Sequence, residues 1–140
     1  DLILGTKLLE LGSEIEEWIT LFSNRLVAGI DAKNGMVAVE GWEETSSVSA
    51  IELINRIDAK SFKRVIYTDI QRDGMLRGPN LEQLKIFAEN SPIPTIASGG
   101  VSSLNDIEEI KTLINLNVVG VIIGKAIYEG NVTLQELSQC

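Results

Sequence analysis

Histidine is absent from this 140-residue chain, and that absence removes several chemistries at once. Without imidazole there is no Ser–His–Asp relay, no His-ligated zinc and no imidazole proton shuttle. Cysteine is nearly absent as well: Cys140 stands alone, so no internal disulfide forms, as expected of a protein kept in a reducing cytoplasm. No apolar run reaches the roughly 18 residues that a membrane-spanning helix needs. Positive charge is scarce, with 12 Lys and Arg against 20 Asp and Glu and a net charge of −8. Such a chain makes a poor general nucleic-acid binder, although a small anion can still find a local positive site. The opening residues Asp1-Leu-Ile-Leu-Gly-Thr6 carry no Met, no basic region and no signal-like apolar region. They read as a strand already under way, and the expectation is a piece of a longer polypeptide.

What is present is an ordinary core-forming composition. At 44% hydrophobic and 23% charged residues the chain is expected to build one soluble domain. Leu2–Leu4, Leu26–Ile30, Arg64–Thr68, Pro94–Ala97 and Val118–Ile123 are nearly continuous apolar runs, the pattern of parallel strands buried on both faces. Between them, Ser49–Ile57 and Leu81–Ala88 carry apolar residues at helical spacing. Leu104, Ile107, Ile110 and Ile114 do the same behind a Ser103/Asp106 capping box. Strand–helix alternation predicts βαβ units and a parallel sheet. The acidic stretch Glu40–Glu44 reads as a solvated loop, and Trp18 as a packing residue on a helix.

An internal echo sharpens the reading. Leu2-Ile-Leu-Gly-Thr-Lys-Leu-Leu-Glu10 resembles Val121-Ile-Ile-Gly-Lys-Ala-Ile-Tyr-Glu129: an apolar strand, a glycine at its end, then a helix start. Gly5 and Gly124 are 119 residues apart, about half of a typical (β/α)₈ barrel of roughly 250 residues. The fold class expected is therefore α/β, an incomplete (β/α)₈ (TIM) barrel running from about strand four to helix eight.

In parallel α/β folds the working residues gather at the C-terminal ends of the strands. Those ends carry Gly5-Thr6, Asp31, Thr68-Asp69, Ser98-Gly99-Gly100 and Gly124-Lys125. Glycines there let backbone N–H groups approach an anion, so Gly99, Gly100, Gly124 and Lys125 read as a phosphate site, or else as tight strand–helix turns. The spacing and the missing Ser/Thr exclude a Walker A loop. Gly5 and Thr6 suggest half of a second phosphate site. Asp31 at the mouth of a buried strand is either a proton donor or a loop carboxylate paired with Lys33. Thr68 on the next strand orients that acid, bonds a substrate oxygen, or is a structural hydroxyl. Gln71–Asn80 is a polar, glycine-rich loop able to fold over a ligand. Trp42 either stacks on a planar ligand or covers the rim.

Val27-Ala-Gly-Ile-Asp-Ala-Lys-Asn-Gly35, Val39-Glu-Gly-Trp42, Tyr67-Thr-Asp-Ile-Gln-Arg-Asp-Gly-Met-Leu-Arg-Gly-Pro-Asn80 and Ile96-Ala-Ser-Gly-Gly-Val101 together resemble the ProFAR isomerase family of histidine biosynthesis, the phosphoribosylformimino-AICAR ribotide isomerases. The resemblance runs from Leu2 to the C-terminus. The related cyclase subunit of imidazole glycerol phosphate synthase shares the Asp-Ala-Lys and Ser-Gly-Gly elements but usually has a hydroxyl-rich strand end in place of Tyr67-Thr-Asp-Ile70. The resemblance implies a barrel with one phosphate site per half, gripping a substrate with a phosphate at each end, and an Amadori rearrangement that uses no metal and no cofactor. It implies Asp31 as the general acid, Thr68 as its neighbour in the site, and Trp42 as a loop aromatic stacking on the carboxamide-imidazole. It assigns Gly99, Gly100, Gly124 and Lys125 to one phosphate site and Gly5-Thr6 to the other. A second catalytic aspartate, at the end of the family's first strand, has no counterpart in this sequence. The alternatives are a non-catalytic phosphosugar-binding half-barrel and a dual isomerase that also accepts phosphoribosylanthranilate. A monomeric parent, a self-associating isolated chain and no nucleic-acid or membrane partner complete the expectation.

Overall fold

Apolar β-branched runs alternating with amphipathic stretches give strands that one set of helices covers. The computed structural model describes residues 1–10, 13–22, 25–42 and 44–140. Its strands are β1 (Leu2–Leu4), β2 (Leu26–Lys33), β3 (Met36–Val39), β4 (Glu44–Ser49), β5 (Phe62–Asp69), β6 (Thr95–Ser98) and β7 (Val118–Ile122). The helices are α1 (Ser13–Phe22), α2 (Ala50–Arg56), α3 (Leu81–Asn90), α4 (Leu104–Lys111), α5 (Lys125–Tyr128) and α6 (Leu134–Leu137). Together they form an α/β fold on one mostly parallel seven-stranded sheet.

β1, β2, β5, β6 and β7 run parallel and lie side by side in chain order. Sequential order distinguishes this sheet from a doubly wound one, where strand order reverses at a switch point. One edge of β2 faces β5. The opposite edge is shared: Leu26–Ala28 pair with β1, and Ala32 and Lys33 pair antiparallel with Val37 and Met36 of β3.

The β2–β3 hairpin, extended by β4, corrects the sequence reading, which ended β2 at Ile30 and placed loop beyond it. Asn34 (φ 51°) and Gly35 (φ 77°) form the two-residue connection between Lys33 and Met36, both left-handed, as an Asn-Gly hairpin turn requires. Pairing with β3 carries β2 on to Lys33. The acidic stretch is likewise only partly loop: Gly41 and Trp42 take left-handed backbone in the turn after β3 and Glu44 already belongs to β4, while Glu43 lies outside the described residues.

The core lies between the sheet and its helices. Leu26, Ala28, Ile30, Val65, Tyr67 and Ala97 point to that side and join Leu53, Ile54, Leu84, Phe87, Ile107 and Ile110 in one buried cluster. The Tyr67 and Phe87 rings stack with centroids 4.3 Å apart, an arrangement worth about 1 kcal/mol beyond burial alone. Trp18 packs at the margin of this cluster, as expected. The Ser103/Asp106 capping box forms as the sequence predicts and starts α4. On the opposite face Ile3 and Ile122 remain 62% and 44% exposed, and Ile66 and Ile96 are only half-buried. Among the described residues no helix is long and apolar enough to cross a membrane.

Candidate functional site at the C-terminal ends of the strands

Register places three sequence-predicted side chains in one row. Asp31 pairs with Thr68, and Thr68 with Ser98. Their predecessors Ile30, Tyr67 and Ala97 all point into the core, so alternation turns Asp31, Thr68 and Ser98 to the open face. Neighbours in such a row stand about 4.8 Å apart, close enough for an acid, a hydroxyl and a ligand oxygen to share one hydrogen-bonded group. Thr68 is buried and Asp31 half-buried. The carboxylate of Asp31 does not end its strand as expected. It lies two residues inside β2, where its Oδ2 accepts a hydrogen bond from the Trp42 indole Nε1 at 2.7 Å. Trp42 is 44% exposed, so a large part of the ring remains open to solvent.

A glycine-ended cavity flanks each end of this row. On the β6–β7 side, Ser98, Gly99, Gly100, Gly124 and Lys125 line a cavity of about 70 Å³. Gly99 (φ 99°) and Gly100 (φ 89°) adopt left-handed backbone. A Cβ on Gly99 would sit 2.5 Å from the Asp69 carbonyl oxygen, and one on Gly100 would sit 2.6 Å from that of Gly78. Only glycine allows this approach. The Lys125 Nζ donates to the Gly74 carbonyl at 3.1 Å, which ties the cavity to the loop following β5.

On the β1–β2 side, Gly5, Thr6, Gly29 and Asp31 line a second cavity of about 70 Å³. The echo seen in the sequence is matched in the backbone. Gly5 (φ −102°, ψ −119°) and Gly124 (φ −107°, ψ −96°) have closely similar dihedrals. In each case the amide three residues on, Leu8 or Ile127, donates back to the glycine carbonyl, at 2.9 and 3.0 Å. A Cβ at either glycine would meet nothing within 4 Å, so both positions open onto space that a ligand can enter. Each cavity holds several water-sized positions, since one water needs about 10–15 Å³, and is therefore large enough for a phosphate group.

Sequence reasoning singled out Thr68-Asp69 but gave Asp69 no role. The structure makes it the anchor of the loop over the site. Its Oδ1 accepts from the Gln71 amide and its Oδ2 from Asn80 Nδ2, both at 2.9 Å, and its carbonyl accepts from the amides of Arg72 and Asp73. Asn80 in turn N-caps α3 by accepting from the Gln83 amide. The neighbouring Tyr67 phenol is pushed up to about 12 by burial, with the Asp69 carboxylate adding to the effect. Asp73 and Gly74 line the β6–β7 cavity. Asp73 was also missed, though the glycine-rich loop around it was the available signal.

The chain is similar to known proteins over nearly its whole length. A family model described as "Histidine biosynthesis protein" matches residues 1–133. A curated relative from Geobacter sulfurreducens, named 1-(5-phosphoribosyl)-5-((5-phosphoribosylamino)methylideneamino) imidazole-4-carboxamide isomerase, is 49% identical over 134 residues, covering 96% of this chain and 55% of the relative. Relatives bearing the same name from Geotalea uraniireducens and Bacillus cytotoxicus are 50% and 47% identical, with the same coverage. The chain thus spans about half the length of the curated relatives it matches.

Proposed function

The chain belongs to the histidine biosynthesis protein family, and from that premise we propose that it is the C-terminal portion, strands four to eight, of a (β/α)₈ barrel that isomerises a bis-phosphorylated aminoaldose to its aminoketose. The observation that carries this reading is the Asp31–Thr68–Ser98 row with a glycine-ended cavity on either side. A substrate with a phosphate at each end spans such a site, with its ribose over the row. The sequential parallel order and the half-exposed apolar face with Ile3, Ile66, Ile96 and Ile122 support an incomplete barrel, whose remaining strands would cover that face.

The rearrangement is an internal redox step. Asp31 protonates the furanose ring oxygen, the C1–O bond breaks, and the lone pair of the amino nitrogen attached to C1 forms the C=N bond of an iminium. A base supplied by the N-terminal portion, the family's first-strand aspartate, takes the C2 proton to give an enaminol and returns a proton to C1 as the enaminol becomes the ketone, so C1 is reduced as C2 is oxidised and no external electron acceptor is needed. Thr68 orients Asp31 or bonds a substrate oxygen. Gly99, Gly100, Gly124 and Lys125 hold one phosphate and Gly5 and Thr6 the other, while the Trp42 ring stacks on the carboxamide-imidazole. The reading calls on no metal or cofactor. It places the protein in the cytoplasm, as part of a monomeric parent, with the isolated chain self-associating through its open face and edges.

The test has two steps. Intact mass first establishes the length of the purified polypeptide. The chain is then mixed with the N-terminal portion of a family member, and isomerase turnover is assayed. Turnover by the mixture and none by either part is the expected result. A verified, folded complex that binds inorganic phosphate yet never turns over would instead identify a phosphosugar-binding module.

A further inference from the structure

The hydrogen bond between Trp42 and Asp31 gives the tryptophan a task separate from stacking. Trp42 has φ 78°, and Gly41 before it φ 66°. Left-handed backbone is ordinary for the glycine and an outlier for a residue as large as tryptophan. The surroundings determine that conformation: β3 and β4 pair with one another and β3 pairs with the end of β2, so the hairpin is bonded to the strand that carries Asp31. The indole N–H reaches Asp31 Oδ2 at 2.7 Å, the short end of N–H···O distances.

We propose that Trp42 is a positioning residue for Asp31: its indole N–H fixes the carboxylate rotamer and occupies Oδ2, so that Oδ1 is the oxygen that carries the proton to the substrate. A carboxylic acid with one oxygen accepting a strong N–H bond carries its proton on the other. Fixing the donor oxygen removes one rotational freedom from the proton transfer, where alignment to a fraction of an ångström matters. This inference rests on the reading of Asp31 as the general acid.

The hydrogen bond is tested first on the chain itself. In a Trp18→Phe background, Trp42 supplies the single indole ¹H–¹⁵N signal. Asp31→Ala is expected to move that signal upfield and speed its exchange with water. An indole signal indifferent to Asp31→Ala overturns the proposal. The positioning role is then tested in the reconstituted complex with Trp42→Phe, which keeps an aromatic face and loses the donor. At least a tenfold loss of kcat with KM held within twofold is expected. A raised KM with unchanged kcat overturns the proposal, because it assigns Trp42 to stacking alone. If the unsubstituted complex shows no turnover, the isomerase reading fails, and the pairing of Trp42 with Asp31 still stands or falls on the indole signal.

Discussion

Asn80 closes the base of the loop that follows β5 by donating to Asp69 Oδ2 at 2.9 Å, while its own oxygen caps α3. One side chain thereby ties the end of a strand to the start of the next helix and sets where the intervening residues lie over the β6–β7 cavity. Asn80→Ala removes both bonds and is expected to destabilise the fold by about 1–3 kcal/mol. Asn80→Ser, which keeps a capping oxygen, should recover part of that loss. Urea unfolding of the three proteins checks the order, and equal loss in both variants would refute the double role.

Asp31→Asn preserves shape and an acceptor for Trp42 but removes the transferable proton. Turnover of the reconstituted complex is expected to fall by at least about a hundredfold, the scale of general-acid contributions, while inorganic phosphate affinity stays within twofold. Kinetics paired with phosphate titration reads both quantities, and retained turnover would remove Asp31 from the chemistry.

Gly99→Ala forces a Cβ against the Asp69 carbonyl in a backbone region that alanine adopts poorly. The expected result is a loss of about 2 kcal/mol or more of stability, together with loss of phosphate binding at the β6–β7 cavity. Lys125→Ala should leave stability nearly unchanged and weaken phosphate binding about tenfold, the low end for a charge-assisted hydrogen bond. Calorimetric titration and denaturant melts separate the two variants. A Gly99→Ala protein as stable as its parent would contradict the close approach described.

Alkaline pH provides an independent check on the core. Burial holds the Tyr67 phenol up to about 12, against an unfolded value of about 10. The folded state thus keeps a proton that the unfolded state releases. The contribution is fully present below about pH 10 and is lost as pH rises toward 12; its size is on the order of 2 kcal/mol. Tyr67→Phe keeps the ring stacked on Phe87 and should flatten the fall in stability across that window. A fall as steep as the parent's would assign the alkaline instability to other groups.

The parallel strands were legible because runs such as Val65–Tyr67 and Val118–Ile122 are apolar on both faces, the helix-covered one and the open one. The Ser103/Asp106 cap was legible because its geometry is local. β4 was not: Glu44-Thr-Ser-Ser-Val-Ser49 is polar and makes its strand from pairing with β3 rather than from an apolar face. The Asn34-Gly35 turn was the one local signal of the β2–β3 hairpin on which β4 builds, and it went unread. That omission also hid Trp42's partner. The indole and Asp31 are brought together only by a hairpin, so no spacing between them announces the bond. Asp69 escaped for a similar reason, since its partner Asn80 lies across an entire loop.

The side-by-side order of β1, β2, β5, β6 and β7 has a consequence for how the chain acquires its shape. Each parallel pairing joins a strand to one laid down a single crossover earlier, and among the described residues no pairing links the first strand to the last. Loop-closure entropy is then met in similar modest instalments, never as one large closure. Ordering can spread along the sheet from any finished pair, in the manner of a zipper. A growing polypeptide can therefore settle each strand–helix unit as it emerges, before the next has been made.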